Sequence, residues 1–445
     1  MRLPRHFPKC RGQSIVVNAE KPFQERDTLR RISRPWFFVA LVTAAIGISY
    51  FDRQALPVAI AAIQRNIPVS NAQFALLQSA FLATYALLYA GGGKLLDAIG
   101  TRKGFALSMA WWSLACALHG FAQGLTMLIA ARLLLGMGEG AGFPAATRVI
   151  AEWLPATQRA TAMGLINAGT AFGSVLAPPL IGLILLTGNW RYVFFFAGTI
   201  GMAWAISWWT LYRGPQEAGV ESQSSVMSQV SIPWLRLLSS RKVLGMVTAK
   251  FLSDSAWYFC LFWLPKYLYD ARGFDIKSVS YYAWIPYAAS GIGSFLGGWF
   301  SSRLLRSGRS LNFSRKLALG LSAGLMPAVI FVPHVPVSFA LLLFSIAFFG
   351  QQSWSGLIMT LPTDIFPVSS VGSVAGLIGF GGALGGAIFN LCAGQLLTYG
   401  AGYGTIFAIV GSLHAVAFII LLLTSGVLRA PETNTSQGQG NLVSL

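Results

Sequence analysis

Six charged residues stand inside stretches that are otherwise apolar: Asp52 and Arg53 in Tyr50-Phe-Asp-Arg, Arg132 and Glu139 seven residues apart, and Lys250 and Asp254 four apart. In a dry setting, a carboxylate beside a cation can stay paired and fix helix packing. It can also take up a proton when a ligand anion claims its cation. Asp52 and Glu139 are therefore candidates for reversible protonation, with permanent pairing of Asp52 to Arg53, or Glu139 to Arg132, as the alternative. Seven residues make about two helical turns, so Arg132 and Glu139 can face one cavity, and a spacing of four permits a Lys250–Asp254 pair. A lone buried cation is costly when a site is empty, which makes Arg53 and Lys250 the candidates for binding an anion. Permanent pairing with Asp52 and Asp254 is their alternative, and Arg132 and Asp254 are read as supporting ion-pair partners.

Aromatic and amide residues could complete a site for a polyhydroxylated ligand, because hydroxyls need directional partners and C–H faces stack on rings. Tyr50, Tyr85, Asn167, Gln351, Gln352, Trp354 and Asn390 are the candidates. With 13% aromatic residues throughout, any single ring can equally be packing, but two adjacent amides at Gln351 and Gln352 call for partners. His119 and His414 read as packing residues. Cys10, Cys116, Cys260 and Cys392 lie in four distant segments without CxxC spacing. No nucleophile with a positioned base, metal-ligand spacing or phosphate loop is found, so no enzyme activity, cofactor or metal is expected.

These residues must be positioned by elements that suit an unusual solvent. A 445-residue chain with 55% apolar and 10% charged residues cannot coat a water-soluble globule. Its apolar runs divide into twelve candidate membrane spans, near 35–60, 73–93, 104–121, 124–148, 161–187, 190–212, 243–268, 278–300, 316–334, 336–361, 372–398 and 404–428. Continuous rather than alternating apolar runs exclude barrel strands. The net charge of +18 would suggest nucleic acid if it were not so placed: 24 of the 32 Lys and Arg fall in loops on the side of the N-terminus, five on the other side and three inside spans. That asymmetry is the topology signal of an inner-membrane protein with both termini cytoplasmic. The first 34 residues are basic and lack the apolar core of a signal peptide.

A polar, Ser/Gln-rich linker at 213–242 separates an N-terminal six-span half, 35–212, from a C-terminal half, 243–428, with cytoplasmic tails at 1–34 and 429–445. The halves echo each other. Gly92-Gly-Lys-Leu-Leu-Asp97-Ala-Ile-Gly-Thr-Arg102-Lys103 follows span two, Gly297-Gly-Trp-Phe-Ser-Ser-Arg303 follows span eight, and spans five and eleven are both rich in glycine. Such duplication places a ligand between halves that rock about it. The element after span two resembles the signature of the major facilitator superfamily, although Ala98 stands where that family usually has arginine and a serine replaces the second Asp. The resemblance implies an all-α membrane fold with two pseudo-symmetric halves, and a cytoplasmic gate at Asp97, Arg102 and Lys103.

Within that superfamily the chain resembles the anion:cation symporter family from about Tyr50 to Leu428. The likeness is carried by Tyr50-Phe-Asp-Arg-Gln-Ala-Leu-Pro, by Arg132-Leu-Leu-Leu-Gly-Met-Gly-Glu139, by Lys250-Phe-Leu-Ser-Asp254, and by Gln352-Ser-Trp354-Ser. The last two passages are similar to hexuronate transporters. The resemblance implies proton coupling and sugar-acid binding at Asp52, Arg53 and Glu139, with Tyr50 and Tyr85 touching substrate. Lys250 and Thr170 stand where galactonate-transporting members have glutamine, and Gly379 where they have asparagine. The expectation is a monomeric symporter carrying a hexuronate-like anion with protons. Another organic anion (an aldonate, tartrate or an aromatic acid) is the nearest rival, and a non-transporting sensor a distant one.

Overall fold

A chain this apolar satisfies its backbone in lipid by forming helices, and the computed structural model is helical almost throughout residues 22–214, 237, 239–366 and 368–428. Those are the described residues. The tails at 1–21 and 429–445 and most of the expected linker lie outside them, as do the side chains of 22–34, 93, 94, 97, 156, 157, 160, 368 and 369. The N-terminal half contains α1 (Pro22–Ile63), α2 (Asn71–Ile99), α3 (Thr101–Leu118), α4 (Leu125–Glu139), α5 (Gly142–Trp153), α6 (Ala156–Leu185) and α7 (Arg191–Leu211). The C-terminal half contains α8 (Arg241–Arg272), α9 (Ile276–Tyr282), α10 (Trp284–Arg306), α11 (Leu311–Leu325), α12 (Val337–Ile365), α13 (Val368–Thr398) and α14 (Tyr403–Ser425). Paired with their neighbours, α4 and α5 make span four, α9 and α10 span eight, and α11 with the 3-10 stretch Met326–His334 span nine. The twelve expected spans appear in order.

Length and hydropathy alone mark nine of these spans as able to cross a membrane, among the described residues. The three that fall short are α3, α8 and the α9–α10 pair. Each has a reason: α3 begins on Arg102 and Lys103, α8 carries Lys250, Asp254, Lys266 and Asp270, and α10 is rich in glycine and serine. Sharp boundaries come from local chemistry. Gly100 turns between α2 and α3 at φ 80°, and Ser70 and Gln73 cap the start of α2 reciprocally.

Two helices lie innermost. Every residue of α1 from Ser49 to Ile60 is buried, and so is every residue of α8 from Ser253 to Leu268, which means neither helix keeps a lipid-facing stripe there. They cross at the junction of the halves, where Gln54 Nε2 donates to the Leu261 carbonyl at 3.2 Å and the Tyr269 hydroxyl to the Val58 carbonyl at 2.9 Å. Beside them α2 meets α13, through the Ser79 hydroxyl on the Ala387 carbonyl (2.7 Å) and the Ala72 amide on Thr398 Oγ1 (3.1 Å). On the other flank α6 meets α9 and α10, where Gly182 abuts Ser280 and Gly291 abuts Ala171.

Among the described residues, the hydrogen bonds that join the halves occupy the middle of the bundle and the end remote from the chain termini. Toward the end that bears the termini, Gly164 on α6 and Gly372 on α13 are exposed with no neighbour within 4 Å of a would-be Cβ. The halves are thus sealed at one end and parted at the other.

Small residues make the tight packing inside each half possible. On α6, a Cβ at Gly173 would strike the Gly47 carbonyl of α1, a backbone atom that cannot step aside. Gly173→Ala is therefore expected to destabilise the protein by about 1–3 kcal/mol. Thermal unfolding in detergent checks this, and an unchanged midpoint would contradict the α1–α6 packing.

Candidate functional site

Span four delivers its carboxylate to the centre by means of glycines. Gly136, Gly138 and Gly140 alternate along Gly136-Met-Gly-Glu139-Gly. A Cβ on Gly136 would strike the Phe81 carbonyl of α2, one on Gly138 would lie 2.5 Å from Trp112 Cβ of α3, and one on Gly140 would lie 2.8 Å from the Tyr85 carbonyl. With no side chains in the way, α4 nests between α2 and α3, and Glu139 at its end reaches α1. Glu139 Oε2 there accepts from Arg53 Nε at 2.7 Å and from Ser49 Oγ at 2.6 Å.

Arg53 is held by more than this charge. Its guanidinium carbon lies 4.5 Å from the Tyr50 ring centroid, 4.4 Å from that of Tyr85 and 5.3 Å from that of Phe81, which makes an aromatic cage on α1 and α2. Yet the pair is not saturated: Arg53 Nη1 and Glu139 Oε1 are buried without hydrogen-bond partners. A ligand oxygen arriving at Nη1 would find a cation already aimed and stripped of water.

The pairing differs from both sequence-based alternatives. Arg53 pairs with Glu139 rather than with Asp52, and Arg132 pairs with neither Glu139 nor, within hydrogen-bonding distance, any other described group. All three Arg132 side-chain nitrogens and both Asp52 oxygens are buried without hydrogen bonds. The reason lies in the helix geometry. Asp52 is one residue, about 100° of helix, from Arg53 and so turns away from the cage, while Arg132 lies two turns from Glu139, with its guanidinium 5.9 Å from the Phe81 ring centroid. Among the described residues the supporting ion pair expected for Arg132 is therefore absent, and Asp52 and Arg132 are two buried groups of the N-terminal half without a salt-bridge partner.

The C-terminal half supplies a second centre. Lys250 Nζ sits 3.0 Å from Asp254 Oδ1 and donates to Ser355 Oγ of α12 at 2.6 Å, so the local pair inferred from the spacing of four is present. Asp254 accepts from Gln351 Nε2 at 3.5 Å, and the Gln351 amide oxygen meets His414 Nε2 of α14. His414 thus braces this network, which accords with a packing role. Trp354 is fully buried, its ring 5.7 Å from His414 and 6.3 Å from Phe418, facing α14.

Not every candidate joins these centres. Asn390 spends its amide inside its own half, accepting from Trp263 Nε1 at 2.8 Å and donating to the Gly386 carbonyl at 2.7 Å, which leaves it a structural part. Asn167 and Gln352 are half-buried. Arg102 donates to the Trp209 carbonyl at 2.8 Å and ties α3 to α7, Lys103 is exposed, and the Asp97 side chain lies outside the described residues.

Sequence reasoning missed Ser49, Ser355, Tyr89 and Tyr258. Ser49 is one turn before Arg53 and Tyr258 one turn after Asp254, so helical spacing could have found both. Tyr89 had no such cue: it leans across the halves onto Gly379, where a Cβ would come within 2.7 Å of its ring.

The comparisons with known proteins agree with this architecture. A family model described as the Major Facilitator Superfamily matches residues 42–390. The hexuronate transporter of Escherichia coli (strain K12) is 28% identical over 405 residues, covering 87% of this chain and 93% of that protein. The D-galactonate transporter of Escherichia coli O6:H1 is 29% identical over 427 residues, covering 91% and 96%. Identities this similar do not choose between the two substrates. Among solved structures, a bacterial homologue of the human lysosomal transporter Spinster, in an inward-facing, unoccupied conformation, superposes with a TM-score of 0.67 at 18% identity, over 88% of this chain and 95% of that one.

Removing one partner of the central pair strands the other. Glu139→Ala leaves Arg53 charged and unneutralised, and is expected to destabilise the protein by about 3–5 kcal/mol. Glu139→Gln keeps an acceptor for Arg53 Nε and should lose less. Unfolding midpoints of the two variants in detergent check the order, and equal midpoints would contradict the importance of the pair.

Proposed function

The chain belongs to the Major Facilitator Superfamily, and on that footing we propose that it is a proton-coupled symporter of a hexuronate-like sugar-acid anion. It is a multi-pass membrane protein of a transporter family rather than an enzyme. The observation that carries the reading is the Arg53–Glu139 pair, with its open Nη1 inside a cage of tyrosines. A carboxylate ligand entering the cage competes with Glu139 for the guanidinium. Once displaced, Glu139 stands in a medium that disfavours its charge and takes up a proton. Binding of the anion and of the proton are then one event, and either alone is disfavoured.

Asp52 is the second proton acceptor, since its buried carboxyl group faces the Cys116 thiol and Arg132 shares the same interior. Tyr50, Tyr85, Asn167 and Gln352 offer hydroxyl and amide groups to the sugar, and Lys250 supplies a second cation. Gln351 and Trp354 hold that cation's surroundings in place, and Asn390 braces α8 against α13. The basic loops support a cytoplasmic position for both termini, and in that orientation the sealed end faces outward and the parted end inward. Arg102, Lys103 and Asp97 stand at the cytoplasmic gate. The protein works as a monomer in the inner membrane, since each half contributes to the one central site.

Alternating access requires the halves to seal the cytoplasmic end in turn, along the exposed glycines of α6 and α13. The proton step and the rocking step can be separated by experiment. In proteoliposomes, Glu139→Gln is expected to lose glucuronate accumulation driven by an inward proton gradient, by at least about tenfold, while exchange across the membrane is partly retained. Accumulation at the parent rate would remove Glu139 from coupling.

A further inference from the structure

We infer that the C-terminal half carries a lipid site: a groove between α10, α11 and α12 takes an acyl chain of an anionic phospholipid, whose phosphate is held at the end of the groove by Arg303 and Arg306. The site lies apart from the central charges, and the inference does not depend on which ligand is transported.

The groove follows from small residues. On α10, a Cβ at Gly293 would strike the Phe349 carbonyl of α12 and one at Gly297 would strike Ser353 Oγ, so the two helices close on each other there. Gly297 and Ala318 of α11 fill little of the space beside that contact, and an open groove of about 270 Å³ remains. Leu296, Trp299, Phe300, Leu321, Leu325 and Phe349 form its walls. The hydroxyls that line it are spent on the protein: Ser322 Oγ donates to the Ala318 carbonyl at 2.8 Å and lies 2.7 Å from Ser353 Oγ. Leu296, Trp299 and Leu321 are exposed on spans that stand in hydrocarbon, so the groove opens to lipid. A single turn of a helix 10 Å across fills roughly 400 Å³. The space suits an acyl chain and is too small for a helix.

Charge at one end decides which lipid enters. Trp299 lines the groove, and the Arg303 guanidinium carbon lies 5.8 Å from its ring centroid, which places a cation where the groove ends. Arg306 is three residues further along the same face of α10, and Arg309 follows past the turn at Gly308. All three arginines are exposed, and among the described residues none of them makes an ion pair. Their neighbours differ: Arg315 pairs with Asp364 at 2.7 Å, and Lys316 donates to the Gly426 carbonyl at 2.6 Å. The cluster stands at the end of the bundle that bears the termini, since the Leu428 amide donates to Asn312 Oδ1 at 3.1 Å. Unpaired cations beside a tryptophan at headgroup depth complement a phosphate whose lipid carries net negative charge. A second copy seated on the groove about a twofold axis normal to the membrane would bring its own three arginines against these, and like charge disfavours it.

Dioleoyl phosphatidylglycerol and dioleoyl phosphatidylcholine make the test, since they share their chains and differ in net charge. Each is titrated onto the full-length protein in detergent, and bound lipid is followed by native mass spectrometry. The parent is expected to bind phosphatidylglycerol at least about tenfold more tightly. A variant carrying both Arg303→Gln and Arg306→Gln, at exposed positions, brings that ratio to about one. Leu321→Trp fills the groove and weakens both lipids alike, so the ratio stays. A parent without the preference, a preference that survives the loss of both arginines, or unchanged binding in Leu321→Trp would overturn the site. So would displacement of phosphatidylglycerol by an equal concentration of glycerol 1-phosphate, which has the phosphate without the chains and would reduce the arginines to a simple anion site. A parent dimer that Leu321→Trp breaks would make the groove an interface between copies and overturn it as well.

Discussion

A cation and a carboxylate removed from water hold the centre of this protein together, and the surrounding helices are arranged to make that tolerable. The Arg53–Glu139 contact of 2.7 Å joins α1 to α4 where both side chains are buried. In such a setting the attraction is strong, but so is the penalty for burying each charge, and the balance depends on every remaining donor and acceptor. Ser49 and the two tyrosine faces meet part of that demand. The remainder, Nη1 on one side and Oε1 on the other, is unmet. A buried pair left incomplete in this way is poised for exchange with a charged visitor in a manner that a saturated one is not.

The two halves share this logic and differ in how they carry it out. In the N-terminal half the pair forms between helices, and Gly136 and Gly138 of α4, with Gly140 just past its end, bring Glu139 into reach. In the C-terminal half the pair is local to α8, one turn apart, and its environment comes from Ser355, Gln351 and His414. Among the described residues the cross-half hydrogen bonds sit in the middle of the bundle and at the end remote from the termini, while the opposite ends of α6 and α13 stay apart. Tyr89 resting on Gly379 marks how far the contact extends toward the parted end.

The membrane fold was legible because it depends on composition and on a period of about twenty residues, which survive in any one sequence. All twelve spans were found, including α8, whose four internal charges take it below a hydropathy threshold. The Lys250–Asp254 pair was legible for a related reason, since a spacing of four within one helix fixes the geometry. The partner of Arg53 was not. Asp52 beside it and Arg132 on the helix of Glu139 suggested pairs along the chain, whereas the pairing observed depends on how α4 is turned against α1 and α2. That rotation is set by the close approaches at Gly136, Gly138 and Gly140, and glycine in a membrane helix reads as packing without saying against what. Trp354 and Asn390 were read from the sequence as ligand contacts, whereas in the structure Trp354 packs on His414 and Phe418 of α14 and Asn390 is hydrogen-bonded to Trp263 of α8, neighbours that no spacing along the chain reveals.

The account stands on ligand and proton binding being one event at Arg53 and Glu139. The most direct measurement is proton uptake on adding a sugar acid to purified protein in weakly buffered detergent solution, followed with a pH indicator. Net uptake of protons in proportion to bound ligand, diminished in Glu139→Gln, is the expected result. Ligand binding that leaves the pH unchanged in the parent protein would contradict it.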